Sequence, residues 1–212
     1  MPNPERRSDR ARKAILAAAL ELSRDPGFEA TSVEAIARRA GVGKQTIYRW
    51  WPSKGAVVLE ALNDQAGATL AFPDTGDVVA DLRTQLGDVA KFLSGVGGGP
   101  FAGLIGAAQS DPALTESVLE TIINPRLAAC RKRLEAARRD GQLRTDVDLE
   151  EVIELLYGPL YYRLLIRTRP ITEDQPAAVL ALAFCGLTPS RPDTPPEASA
   201  AVSREGTCHT SL

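Results

Sequence analysis

Thr31-Ser-Val-Glu-Ala-Ile-Ala-Arg-Arg-Ala-Gly-Val-Gly-Lys-Gln-Thr-Ile-Tyr-Arg-Trp-Trp-Pro-Ser-Lys54 decides the fold. Thr31 or Ser32 caps a short helix running to Ala40, and Gly41 stops it. A second short helix, about Gly43 to Trp50, follows after a three- or four-residue turn, and Pro52 prevents its continuation. Ile36, Ala40, Val42, Ile47 and Trp50 fall where two such helices must pack on each other and on a helix before them, so these positions must be apolar. Ala37 is small where the pair comes closest, and Gly41 suits a left-handed turn. A plain αα-hairpin in a helical core meets the same packing requirement. The outward face separates it from a helix-turn-helix: Lys44, Gln45, Thr46, Tyr48, Arg49 and Lys54 are residue types that partner phosphates and base edges.

Outward from this stretch the periodicity is helical almost everywhere, which predicts an all-α fold with no strand. Ser8 to Leu22 carries Ala11, Ile15, Ala18, Ala19 and Leu22 at three- and four-residue spacing, and Asp25-Pro-Gly ends it. Residues 1–7 read as a flexible arm and 8–52 as a three-helix DNA-binding unit. Residues 53–187 form a second helical unit. Its helices are expected over Lys54 to about Leu70, Val78 to Leu93, Phe101 to Gln109, Asp111 to Asp140 with a kink at Pro125, Leu149 to about Ile166, and Thr172 or Asp174 to about Gly186. Ser94-Gly-Val-Gly-Gly-Gly-Pro100 reads as a flexible break. Residues 188–212 are rich in Pro, Ser, Thr and Glu and read as a disordered tail.

Charge is divided unevenly along the chain. The 212 residues carry a formal net charge of −2, yet residues 1–55 hold eleven Lys and Arg against six acids, a net +5 that leaves −7 for the remainder. A basic head on an acidic body fits a polyanion at one end and a different task at the other. Cys130, Cys185 and Cys208 are far apart and form neither a disulfide framework nor a zinc-ligand pattern. No apolar leader and no run of ~18 apolar residues is present, so a cytoplasmic location is expected. Enzyme chemistry finds little to work with. The single histidine, His209, lies in the tail, Gly97-Gly98-Gly99 lacks the Lys-Ser/Thr of a phosphate loop, and neither metal nor cofactor is expected.

Gly41, Ile47-Tyr48, Trp51 and Ser53-Lys54 resemble the signature of the TetR/AcrR family of bacterial repressors, with a close match over residues 8–65. The resemblance implies a homodimer on a near-palindromic double-stranded DNA operator, with a C-terminal domain that binds a small, mainly apolar effector and releases the DNA. It implies that Gln45 and Thr46 approach base edges, the Gln suiting adenine N6 and N7 and the Thr methyl a thymine methyl. Thr31, Ser32, Lys44, Tyr48, Trp50 and Lys54 are implied as phosphate contacts, and Arg49 as either. Trp50 departs from the His or Tyr of many members, and its indole offers one uncharged donor.

Twelve residues are candidates to line an effector pocket: Leu62, Leu86, Val89, Phe92, Phe101, Leu104, Ile105, Leu119, Ile122, Ile123, Tyr157 and Tyr161. The same stripes serve equally as plain core. Gln109 and Asn124 are further polar candidates, and Gly97 to Gly99 read either as a hinge for the following short helix or as a surface loop. For the dimer, Val152, Leu155, Leu156, Leu160, Leu164 and Leu165 form one apolar face, and Val179, Leu180, Leu182, Ala183 and Phe184 its partner stripe. Burial within one subunit is the competing reading.

Overall fold

The computed structural model describes residues 4–67 and 72–188. Among them are ten α-helices and no strand: α1 (Pro4–Leu22), α2 (Val33–Ala40), α3 (Lys44–Tyr48), α4 (Lys54–Ala66), α5 (Val78–Ser94), α6 (Gly98–Ala108), α7 (Pro112–Val118), α8 (Asn124–Arg139), α9 (Leu149–Ile166) and α10 (Gln175–Leu187). The first helix begins at Pro4, inside the stretch read as an arm. Residues 189–212 of the expected tail, and Leu70 at the expected end of α4, lie outside the described residues.

Helices α1, α2 and α3 form the head, with α1 packed on both α2 and α4. Ile15, Ala19, Ile36 and Ile47 are completely buried at its centre. Ser32 caps α2 by accepting the Ala35 N–H at 3.2 Å. Gly41 ends α2 at φ +67°, with Val42 N–H on the Ala37 carbonyl at 3.0 Å and Gly41 N–H on that of Arg38. That is the double closure of a left-handed cap, and it fixes the angle at which α3 leaves α2. The aromatic that fills the core is Trp51, 4% exposed, rather than the half-buried Trp50.

The second unit stacks α5 on α10, α8 and α9, with α6 and α7 bridging to α4. A π-helical turn, Leu119–Ile123, separates α7 from α8 immediately before Pro125. A proline ring clashes with the carbonyl four residues earlier, and the wider turn makes room for it. The Arg126 guanidinium donates to the Ile122 carbonyl at 2.7 Å.

The glycine run corrects the expectation of a flexible break. Helix α6 starts at Gly98, and a Cβ on Gly97 would lie 2.3 Å from the Phe92 ring. One on Gly98 would lie 1.9 Å from the Leu93 carbonyl oxygen. These glycines let α5 and α6 meet through a tight corner, so their role here is close approach, not slack.

Candidate nucleic-acid interface

Gln45 and Tyr48 are exposed on α3, Arg49 is exposed just past its end, and Thr46 is half-buried beside them. Lys44, at the first turn of α3, is hydrogen-bonded to the Glu34 carboxylate of α2 and stands 5.4 Å from the Tyr48 ring centroid. The bond to Lys44 holds Glu34 below the usual carboxylate value and raises Lys44. Arg49 lies 5.2 Å over the Trp50 ring, which meets Trp51 edge-on at 5.3 Å. α3 and its C-cap therefore present one amide, one phenol and two cations to solvent, with the Thr46 hydroxyl half-buried among them.

Two of the expected contacts are placed otherwise. Thr31 is buried, and its hydroxyl donates to the Gly27 carbonyl at 2.8 Å, so it closes the loop between α1 and α2 and presents nothing to a phosphate. Lys54 is half-buried, its ammonium donating to the Phe28 and Glu29 carbonyls at 3.0 and 3.2 Å and lying 4.6 Å from the Phe28 ring. It ties the start of α4 to the loop before α2. Ser32 is exposed, with its oxygen occupied in capping. A second tie was not foreseen: Glu60 of α4 accepts from Trp51 Nε1 at 2.6 Å and from Arg12 Nε at 2.7 Å, joining three elements of the head. Only its spacing on the inner side of α4, three residues after Val57, hints at this in the sequence.

Between α4, α5, α6, α8 and α9 lies a small cavity of about 70 Å³, partly open to solvent. Of the twelve pocket candidates, Leu62, Val89, Phe92, Phe101, Ile122, Ile123, Tyr157 and Tyr161 line it. Leu86 and Leu104 are fully buried in packing elsewhere, and Ile105 is not on the wall. Leu119 is 42% exposed and shares an outer groove with Gln109 and Asn124. Two polar wall residues were missed, Gln85 and Arg126. Both interrupt apolar helical stripes, Gln85 between Leu82 and Val89 and Arg126 between Ile122 and Cys130, which is the signal that marks them. Gln85 accepts the Tyr157 hydroxyl proton, so that donor is already engaged inside the protein. Burial lowers the Arg126 guanidinium and raises the Tyr161 phenol.

Helix α6 links cavity and head. Phe101 is on the cavity wall, and at Gly103 a Cβ would lie 2.4 Å from the Phe28 Cβ. Phe28 is the residue whose carbonyl and ring hold Lys54.

Residues 15–61 match the family described as bacterial regulatory proteins, tetR family, and residues 72–183 match the tetracyclin repressor-like C-terminal domain. An uncharacterized HTH-type transcriptional regulator of Bacillus subtilis, YdeS, is 38% identical over 85% of this chain and 91% of its own. This chain belongs to the TetR family. TetR-family proteins are DNA-binding transcriptional regulators and not enzymes. The crystal structure of the TetR family regulator SCO0332 is 39% identical, covers 84% of this chain and 99% of that one, and superposes with a TM-score of 0.69. A DNA-binding transcriptional repressor of Mycobacteroides abscessus is 27% identical over 72% of this chain and 81% of its own. Family membership and the arrangement of α1 to α3 identify the exposed strip on α3 as the candidate reading surface. Among the described residues no helix is long and apolar enough to cross a membrane.

Proposed function

We propose that this TetR-family chain is a dimeric repressor that leaves its operator when a small, mainly apolar molecule enters the cavity. The observation that carries the reading is the continuity of α6, which touches the cavity through Phe101 and the head through Gly103 and Phe28. Residues 8–52 act as the DNA-binding unit and 53–187 as the effector and dimer unit. Gln45 and Thr46 read base edges, while Ser32, Lys44, Tyr48, Arg49 and Trp50 contact phosphates. Thr31 and Lys54 serve the interface indirectly, by fixing the loops that carry it.

One head makes few contacts, so two are needed, on half-sites about 34–36 Å or a multiple apart. For the dimer, Leu155, Leu165 and Leu182 are 52%, 42% and 79% exposed, joined by Tyr162 and Ile166. Leu155, Tyr162, Leu165 and Ile166 fall within one stripe of α9. The other expected interface residues, Val152, Leu156, Leu160, Leu180 and Ala183, are buried within the subunit, and Leu164, Val179 and Phe184 are half-buried. An exposed apolar stripe of this length supports a partner surface.

The test is a gel-shift titration on DNA from upstream of the chain's own gene, with and without compounds found by thermal-shift screening. Salt-dependent, sequence-selective binding that weakens with a stabilising compound is expected. Absence of salt-dependent binding refutes the DNA reading, and binding that no such compound alters refutes release. A monomer by light scattering at micromolar concentration refutes the dimer.

A further inference from the structure

We propose that the effector is a monoanionic acid with an apolar body, and that Arg126 receives its carboxylate. This rests on reading the cavity as the effector site and narrows the class of ligand.

None of the residues lining the cavity is an aspartate or glutamate. Arg126 stands in that wall with no carboxylate within ion-pair distance among the described residues. Arg133, the fully buried arginine of the same unit, has the Asp81 carboxylate at 2.6 Å. Interior cations are ordinarily matched in that way, because removing a charge from water without a counter-charge is costly. The partners of Arg126 are two neutral oxygens, the Ile122 carbonyl at 2.7 Å and the Asn63 amide at 3.4 Å. They hold the guanidinium in place and leave its charge uncompensated and part of its donor fork unused.

The chemistry of the occupant follows from what each class does to that charge. Arg126 is half-buried, so part of its surface is open to solvent. A neutral apolar ligand displaces that solvent and returns nothing. An amine adds a second cation beside the first, with no acid on the wall to receive it. An acid replaces solvent with a counter-charge, and the planar guanidinium matches a carboxylate through two parallel hydrogen bonds. Tyr161, also on the wall and without a hydrogen-bond partner among the described residues, supplies a further donor. Leu62, Val89, Phe92, Phe101 and Ile123 take the apolar body.

The full-length protein is titrated calorimetrically with decanoate, decanol and decylamine at neutral pH, and with phenylbutyrate and phenylbutanol as an aromatic pair. Each acid is expected to bind about 10- to 100-fold more tightly than its alcohol, the range for a charged hydrogen-bonded pair. Decylamine is expected to be the weakest of its series. Arg126→Gln should remove the preference for acid while leaving alcohol affinity unchanged, and Arg126→Lys should keep part of it. Alcohols binding as tightly as acids overturn the proposal and leave the cavity reading standing, as does an acid preference that survives Arg126→Gln. If no member of either series binds, both fall. The wild-type comparison of acid and alcohol decides the matter even if Arg126→Gln fails to fold.

Discussion

Gly103 and Gly106 are three residues apart in α6, and replacing each with alanine separates helix propensity from contact. Both changes gain about 0.8–1.0 kcal/mol of intrinsic helix stability. At Gly106 the new methyl meets nothing within 4 Å, so Gly106→Ala is expected to stabilise by about that amount. At Gly103 the methyl falls 2.4 Å from the Phe28 Cβ and 3.1 Å from its Cγ. Carbon atoms rest at about 3.5–4.0 Å, so α6 and the Phe28 segment must part by more than ~1 Å. Phe28 has no free end to yield, since a Cβ moves only with its backbone. Overpacking of this kind costs about 1–3 kcal/mol. With about 2–4 °C of melting temperature per kcal/mol for a chain of this size, the two variants should melt ~2–12 °C apart, Gly103→Ala lower. Matched calorimetric scans at one protein concentration measure the gap. Equal melting temperatures would refute the claim that α6 and the head are in rigid contact at this point.

Three further outcomes follow from local geometry. Gly41→Ala places a side chain at φ +67° with open space around it, so the cost is backbone strain alone, about 1–2 kcal/mol in thermal or urea denaturation. Lys54→Met should destabilise the fold by about 1–3 kcal/mol and leave the salt dependence of operator binding unchanged, whereas Arg49→Ala should reduce the salt slope by about 0.9; a reduced slope in Lys54→Met with unaltered melting would make Lys54 a phosphate contact. Burial pushes the Asp81 carboxyl up, but hydrogen bonds from Thr75 and Arg133 outweigh it and hold the group below its usual value. Its contribution is therefore complete above the unfolded value of about 3.9 and is lost as pH falls through the lower folded one. Asp81→Asn leaves Arg133 only the exposed Asp74 carboxylate at 3.5 Å, so it should cost toward the lower end of about 3–5 kcal/mol at neutral pH and should flatten the acid limb of the stability profile below about pH 4.

The head was legible because its constraints are local. Gly41, the cap at Ser32 and the burial of Ile36 and Ile47 follow from residue type at fixed spacing along twenty residues. What sequence could not place were side chains whose partners come from elsewhere. Lys54 reads as an exposed cation until the Phe28 and Glu29 carbonyls, 26 and 25 positions away, are brought beneath it. Thr31 has a near partner, the Gly27 carbonyl four positions back, but reads as a surface hydroxyl until the loop before α2 turns that carbonyl toward it. The glycines at 97 and 98 look like slack because the Phe92 ring and the Leu93 carbonyl that crowd them appear only after α5 and α6 pack. The pocket stripes were legible as apolar, but which member turns to the cavity and which to solid core depends on helix rotation. Leu86 and Val89 share a stripe on α5, and only Val89 reaches the cavity.

That same dependence on packing gives the effector its route to the head. A ligand shifts operator affinity only by the difference in its own affinity for the two arrangements of the protein, and a tenfold change requires about 1.4 kcal/mol of difference. Interiors are close-packed, so a displacement of Phe101 has no slack within α6 to absorb it. Two residues on, Gly103 rests against Phe28, and Phe28 is fixed through its carbonyl and ring to Lys54 at the start of α4. The tenfold requirement of about 1.4 kcal/mol lies within the about 1–3 kcal/mol that overpacking this contact costs. Gly103→Ala already forces that contact open, so the variant should hold less of the arrangement that binds DNA, and effector should then change its operator affinity by a smaller factor than in the wild type. Gly106→Ala, on the outer face of the same helix, should respond as the wild type does. A full effector response in Gly103→Ala, measured by fluorescence anisotropy on labelled operator, would show that the signal leaves the cavity by another path.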